Sequence, residues 1–188
     1  MKKINKPCVF KTTKSPIGTL TIIASDSGLK AIMFEGEAKN LKDVYLNIKS
    51  DNNHKLLKEA EKQLAEYFAK KRTSFDLPLD PEGTEFQKKT WGILSKIPYG
   101  QTISYSKQAE LMGDVKKTRA VGMANSKNPL AIIIPCHRVI GKNGTLNGYA
   151  GGIDKKMFLL NLEGIEKYVQ NRISANRLSF SNIPRYLD

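Results

Sequence analysis

The sequence predicts an α+β protein: a small antiparallel sheet with helices, followed by a mainly helical part that carries the outline of a helix-turn-helix. Three observations lead there. From Cys8 to Phe34 β-rich runs alternate with turn signals. After them apolar residues recur at intervals of three and four. Two short helical segments joined by a few residues then precede an aliphatic run that ends in Pro135-Cys136-His137-Arg138. A chain of 188 residues has room for one good core or two modest ones.

The β runs are "CVFKTT", "GTLTIIAS" and "LKAIMF", separated by "KSPIG" and "SDSG", and they read as a meander. In "NHKLLKEAEKQLAEYFAKKR" the residues Leu56, Leu57, Ala60, Leu64, Tyr67 and Phe68 form one apolar face, which predicts a helix. "TSFDLPLDPEG" is the linker candidate, placing a boundary near residue 79 and dividing the chain into 1–78, 79–165 and a C-terminal extension, 166–188. Thr84 with Gln87 is a capping box opening "EFQKKTWGILSKI", which Pro98 ends. Ser104 caps "SYSKQAELMG", Gly113 stops it, and "DVKK" leads into "TRAVGMANS". Such a helix pair fits DNA binding or plain packing equally well. The small residues Ala120, Gly122 and Ala124 fit either close helix packing or close approach to a nucleic-acid backbone.

Beyond the aliphatic run, which reads as a buried strand broken by Pro135, Asn143-Gly144 is a hairpin signal and "NGYAGG" a glycine-rich loop without phosphate-loop or dinucleotide context. "DKKMFLLNLEG" reads as a helix ending at Gly164. The last residues suggest a helical turn or two and a polar tail.

The net charge of +13 points to a polyanionic partner, nucleic acid first. The excess is spread along the chain. It is densest over 86–127, where Lys88, Lys89, Lys96, Lys107, Lys116, Lys117, Arg119 and Lys127 face only Glu110 and Asp114. Cys8 and Cys136 lie far apart with no apolar leader ahead of them, so a reduced, cytoplasmic or nucleoid-associated protein is expected. No apolar run reaches the roughly 18 residues of a membrane span, so no membrane partner is expected.

A free cysteine beside a histidine is more often structural than catalytic. Here the strand-breaking proline and the neighbouring Arg138 suggest a site where a thiolate is favoured below its free pKa of about 8.5. A nucleophile is the sharper reading.

"IIIPCHRVIG", preceded by "GQTISYSKQAE" and "TRAVGMANSKNP" and followed by "GYAGG" and "LLNLEG", resembles the O6-alkylguanine-DNA alkyltransferases. The likeness is highly specific over 79–164, and the sheet and helix ahead of it resemble that family's ribonuclease H-like N-terminal domain. It implies a winged helix-turn-helix alkyltransferase domain that repairs O6-alkylguanine, and O4-alkylthymine as well, in double-stranded DNA. The alkyl group moves irreversibly to a cysteine, once per protein molecule, with no cofactor and as a monomer. The implied catalytic set is Cys136, His137 acting through a water, Glu163 orienting the imidazole, and Asn128 bracing the turn. Because the O6 atom is inaccessible in the stack, the base must be flipped. Arg119 would fill its place and Tyr105 turn the nucleotide, with Ala120, Gly122, Ser104 and Arg138 among the DNA contacts. Val139, Tyr149, Ala150 and Gly151 would wall the pocket.

The chain departs from some relatives where they carry a hydroxyl residue at the position of Ala150 and a proline at that of Ala131. With Cys8 and His54 the only candidates before residue 79, a four-ligand zinc site of the kind some relatives hold is not expected, and no metal is assigned. Two other classes compete: a non-catalytic alkylated-base binder, which Cys136 disfavours, and a cysteine hydrolase, which offers no use for Arg119 or the basic helix.

Overall fold

The structure is a computed structural model and describes residues 7–37 and 41–165, so the expected extension 166–188 lies outside the described residues. The three β runs form β1 (Cys8–Thr13), β2 (Leu20–Ser25) and β3 (Gly28–Phe34), paired antiparallel as a meander. The sheet is larger than expected. After a single turn of helix, α1 (Leu41–Val44), the three-residue strand β4 (Ile48–Ser50) pairs parallel to β1, giving the order β3-β2-β1-β4. Strand β2 is buried along its whole length because α2 (Lys55–Phe68) covers one face of the sheet. Leu57, Ala60, Leu64 and Tyr67 are the buried stripe of α2, matching the expected apolar face. The helix closes with Lys70 in the left-handed region, φ 57°, where glycine is the usual occupant.

The linker is fastened to β3. Leu29 and Pro78 share a backbone hydrogen bond, Asp80 N returns one to Leu29 O, and the buried ammonium of Lys30 pairs with Asp80 and Glu82. Gly28, at φ 147°, touches Pro78 so closely that a Cβ would stand 2.7 Å from its carbonyl oxygen. A side chain there would unseat the linker.

Helix α3 (Glu85–Leu94) opens with the expected capping box, with both Thr84 and Gln87 bonds formed. α4 (Tyr105–Leu111) is capped by Ser104, and α5 (Thr118–Ser126) follows one tight helical turn, Val115–Lys117. A buried polar network fixes the three helices. Trp91 Nε1 donates to Ala124 O at 2.9 Å, while Gln108 and Asn125 exchange side-chain hydrogen bonds and Gln108 also donates to Thr90 O. Since buried amides left unpaired would cost about 1–3 kcal/mol each, the network specifies this one arrangement. Helix α6 (Ile153–Leu162) ends before Gly164 at φ 81°.

Two local expectations are corrected. The aliphatic run Leu130–Ile134 is not a strand: it folds into a tight turn in which Ile134 N donates to Leu130 O, Ala131 bridges to Ile134, and Ile132 takes φ 78°. Its apolar side chains are buried because the turn is wedged against β3, where Ile32 N donates to Pro129 O at 2.8 Å. Burial, not strand pairing, explains the composition. Asn143-Gly144 likewise makes a tight turn closed by Gly141 N to Thr145 O, without a hairpin. The flanking strand β6 (Val139–Ile140) pairs instead, in parallel, with β5 (Ile103–Ser104).

Candidate active site

The turn before Pro135 exists because Asn128 holds both ends of it. Its Nδ2 donates to Ile134 O at 2.7 Å and its Oδ1 accepts from Leu130 N at 3.0 Å. Ile132 tolerates a left-handed backbone that for a β-branched residue costs about 1–3 kcal/mol. Past Pro135 the chain makes one helical turn, Cys136–Arg138, which sets the thiol, imidazole and guanidinium in the interior at 7 %, 0 % and 6 % exposure.

The imidazole and the guanidinium converge on Glu163, the buried residue that closes α6. Its Oε1 accepts from His137 Nε2 at 2.8 Å, from the Tyr67 hydroxyl at 2.7 Å and from one Arg138 nitrogen at 2.9 Å. Its Oε2 accepts from Arg138 Nε at 2.9 Å and from Gly100 N at 3.2 Å. Burial alone would raise this carboxyl, but the bonds from His137 and Arg138 outweigh it and hold the group at about 2. It is an anion at every physiological pH.

A carboxylate only accepts, so His137 must carry its proton on Nε2, leaving the Nδ1 lone pair free. Nδ1 is buried and has no protein partner among the described residues. Burial lowers the imidazole's basicity, against the opposing pull of Glu163, so it is neutral near pH 7. This is the protonation state of a general base.

The thiol departs from expectation. Burial raises the Cys136 pKa, and the Asn128 hydrogen bond and the charge of Lys156 offset only part of that rise. At rest Cys136 is therefore a thiol, not the thiolate expected beside a cation. Arg138 is a second correction. Its guanidinium is buried in a two-point bond to Glu163 and a 2.6 Å bond to Ile97 O, so it is neither placed for a DNA contact nor the cation acting on the thiol.

That cation is Lys156. Helix α6 buries it completely, and its Nζ donates to Val139 O at 2.6 Å and Asn147 O at 3.1 Å while lying 5.7 Å over the Tyr105 ring. Burial brings its pKa down to about 8, with the Cys136 charge pulling the other way. Sequence reasoning passed over both Lys156 and Tyr67. Lys156 left a usable signal: it shares the buried face of α6 with Leu159 and Leu160.

Of the remaining expected residues, Val139 is fully buried in β6. Tyr149 packs its ring 5.7 Å from Phe34, and its hydroxyl is buried without a partner among the described residues. Gly151 lies flat on the Phe34 ring, where a Cβ would approach to 2.9 Å. Ala150 is exposed beside them. Tyr105 is half-buried at the start of α4 with Gly122 facing its ring, Ser104 is the α4 cap bonded to Lys107 N and Ser106, and Arg119 and Ala120 stand exposed on α5. Of the small residues of α5, Ala124 packs inward and Ala120 faces out. The structure thus joins Cys136, His137, Asn128 and Glu163 in one buried cluster and leaves Arg119 on the surface.

Comparison with known proteins places this geometry. Residues 8–81 match the 6-O-methylguanine DNA methyltransferase ribonuclease-like domain, and residues 85–165 match the DNA binding domain of the same proteins. The chain is 49 % identical over 151 residues to the methylated-DNA–protein-cysteine methyltransferase of Methanosarcina acetivorans, covering 80 % of this chain and 95 % of the relative. To the constitutive enzyme of Bacillus subtilis it is 43 % identical over 158 residues, covering 83 % and 95 %. Among solved structures, Mycobacterium tuberculosis O6-methylguanine methyltransferase aligns with TM-score 0.77 at 40 % identity, covering 89 % of this chain and 99 % of that one. Mycobacterium tuberculosis OGT in complex with DNA aligns with TM-score 0.76 at 42 % identity, covering 82 % and 92 %. With family models matching both parts of the chain and relatives 43–49 % identical over about four fifths of it, the chain belongs to the methylated-DNA–protein-cysteine methyltransferase family.

Proposed function

We propose that Cys136 is the acceptor in a single-turnover repair reaction on double-stranded DNA containing O6-alkylguanine, with O4-alkylthymine as a second substrate. The general activity is that of the family: alkyl transfer from DNA to a protein cysteine. The observation that carries the assignment is the neutral His137, with Nε2 tied to Glu163 and Nδ1 unengaged, next to a thiol that has to lose its proton.

In the step itself the Sγ–carbon bond forms as the O6–carbon bond breaks. The thiol proton passes through a water to His137 Nδ1, the released electron pair returns to the guanine, which takes a proton from the nearby Tyr105 hydroxyl, and the phenolate recovers a proton from solvent as the imidazolium gives its own up. Proton loss coupled to transfer keeps a buried anion from standing unpaired at rest. The sulfur–carbon bond cannot be hydrolysed by these groups, so the protein is used once. No cofactor enters the reaction.

The stacked base has to be extruded to reach a thiol this deeply buried. Arg119, exposed on α5 within the basic surface of the helix pair, supports a role in holding the vacated space, with Ala120 and Gly122 allowing close approach and Ser104 and Tyr105 alongside. Val139, Tyr149, Ala150 and Gly151 form the pocket wall. We read the part after residue 79 as a winged helix-turn-helix domain, 1–78 as the ribonuclease H-like domain and 166–188 as an extension. The protein acts as a monomer in the cytoplasm or on the nucleoid. No described helix is long and apolar enough to cross a membrane.

Incubation with excess oligonucleotide bearing one O6-methylguanine, followed by intact mass and peptide mapping, should show one added methyl group on Cys136 and then no further reaction. Continued turnover, or a mark on Cys8 alone, would overturn the assignment.

A further inference from the structure

The carboxylate that orients His137 is held from the other half of the fold. Tyr67 belongs to α2, on the N-terminal sheet, and lies 96 residues before Glu163 in the chain, yet its hydroxyl makes the shortest bond to Oε1, at 2.7 Å. The ring packs among Phe68, Phe75 and Tyr99, with centroids 5.5, 5.4 and 6.1 Å away. A phenylalanine would fill that space equally well. Among the described residues the hydroxyl's one bond is to the oxygen that also accepts from His137.

We propose that Tyr67 is a positioning residue of the transfer reaction: its hydroxyl holds Glu163 Oε1 against His137 Nε2 and shares that oxygen's negative charge. This rests on the relay of Cys136, His137 and Glu163 proposed above. Tyr67 stays a neutral donor, because its burial and the Glu163 charge both oppose ionisation.

The other groups around the relay are accounted for. Arg138 and Gly100 N also donate to the carboxylate, Tyr99 bonds the neighbouring Leu162 carbonyl, and Lys156 and Arg138 act on the imidazole through their charge. Removing the Tyr67 hydroxyl leaves these in place and concentrates charge on Oε1. A more basic Oε1 makes His137 bind a second proton more tightly, and only the neutral imidazole can accept the thiol proton. The acid limb of the rate profile must then move to higher pH.

The experiment is single-turnover methyl transfer across pH 5 to 9 for wild type, Tyr67→Phe and Glu163→Gln. Tyr67→Phe should move the acid limb up by roughly half a unit, a slowing of about threefold at pH values below the limb. A protein carrying 3-fluorotyrosine at position 67, a stronger donor with the same packing, should move it the opposite way. That second arm also decides the matter if the phenylalanine variant does not fold. An unmoved limb in either variant, including uniform slowing without displacement, overturns the proposal by reducing the hydroxyl to packing. If Glu163→Gln alters the profile while both Tyr67 substitutions leave it in place, Tyr67 alone is dismissed; if Glu163→Gln also changes nothing, the relay itself fails.

Discussion

Lys156 carries a buried charge that costs the fold and, on the function proposed above, helps Cys136 lose its proton. A fully buried ammonium with a pKa near 8, against an ordinary 10.5, means that the native protein binds fewer protons than the unfolded chain between those values. Stability must therefore rise with pH from about 8 toward 10.5, and below pH 8 the whole burden of the buried charge is present. Lys156→Met keeps the volume and deletes the charge. Its melting temperature should be insensitive to this titration, so wild type should gain on the variant as pH rises from 7 to 10 in parallel thermal melts. Transfer should slow by about tenfold at neutral pH, as expected if losing the cation beside Cys136 removes about 1.4 kcal/mol from the developing thiolate. A variant that transfers at the wild-type rate would limit Lys156 to tying Val139 and Asn147 together.

Among the elements, the proposed function assigns α5 the work of reaching the base and the turn at Pro135 that of presenting the acceptor of its alkyl group. Arg119 is exposed, so Arg119→Ala should leave the unfolding free energy within about 0.5 kcal/mol of wild type. If the side chain holds open a stack, its loss should slow repair of a paired lesion by about ten- to a hundredfold, matching the few kcal/mol of unstacking, and slow repair of the same lesion in a single strand far less. Equal slowing on both substrates would leave Arg119 as a phosphate contact. Helices α2 to α6 and strands β1 to β3 were legible in the sequence because their signals are local: a capping box at Thr84, periodicity in α2, turn residues between strands. Strand β4 was not, since three residues carry no alternation and their pairing with β1 is decided by the sheet. The Leu130–Ile134 run misled for a related reason. β-branched composition reports burial, and here two hydrogen bonds from Asn128 turn a strand-like sequence into a loop. Cys136 could be read from its own neighbours, and His137, Asn128 and Glu163 through the family resemblance; Tyr67 and Lys156 looked like ordinary helix positions until the chain was folded.

At the scale of the whole molecule, the bond between Tyr67 and Glu163 is also a statement about time. The groups that meet at the carboxylate come from residues 67, 100, 137, 138 and 163, and contacts so far apart in the chain close late because loop entropy must first be overcome. During synthesis the cysteine leaves the ribosome before the carboxylate that will complete its site, and until then its thiol lacks the shelter that silences it. On the single-turnover reading proposed above, the protein is exposed in that interval to spending its one reaction on any stray electrophile. In refolding from denaturant, pulsed thiol labelling should find Cys136 reactive until the final cooperative phase, with protection appearing together with the near-ultraviolet signal of the buried tyrosines and Trp91. Protection arriving in an earlier phase would mean that the 129–138 turn closes over its cysteine before α2 and α6 meet. On the order expected here, haste in folding is itself a form of protection for the repair capacity of the cell.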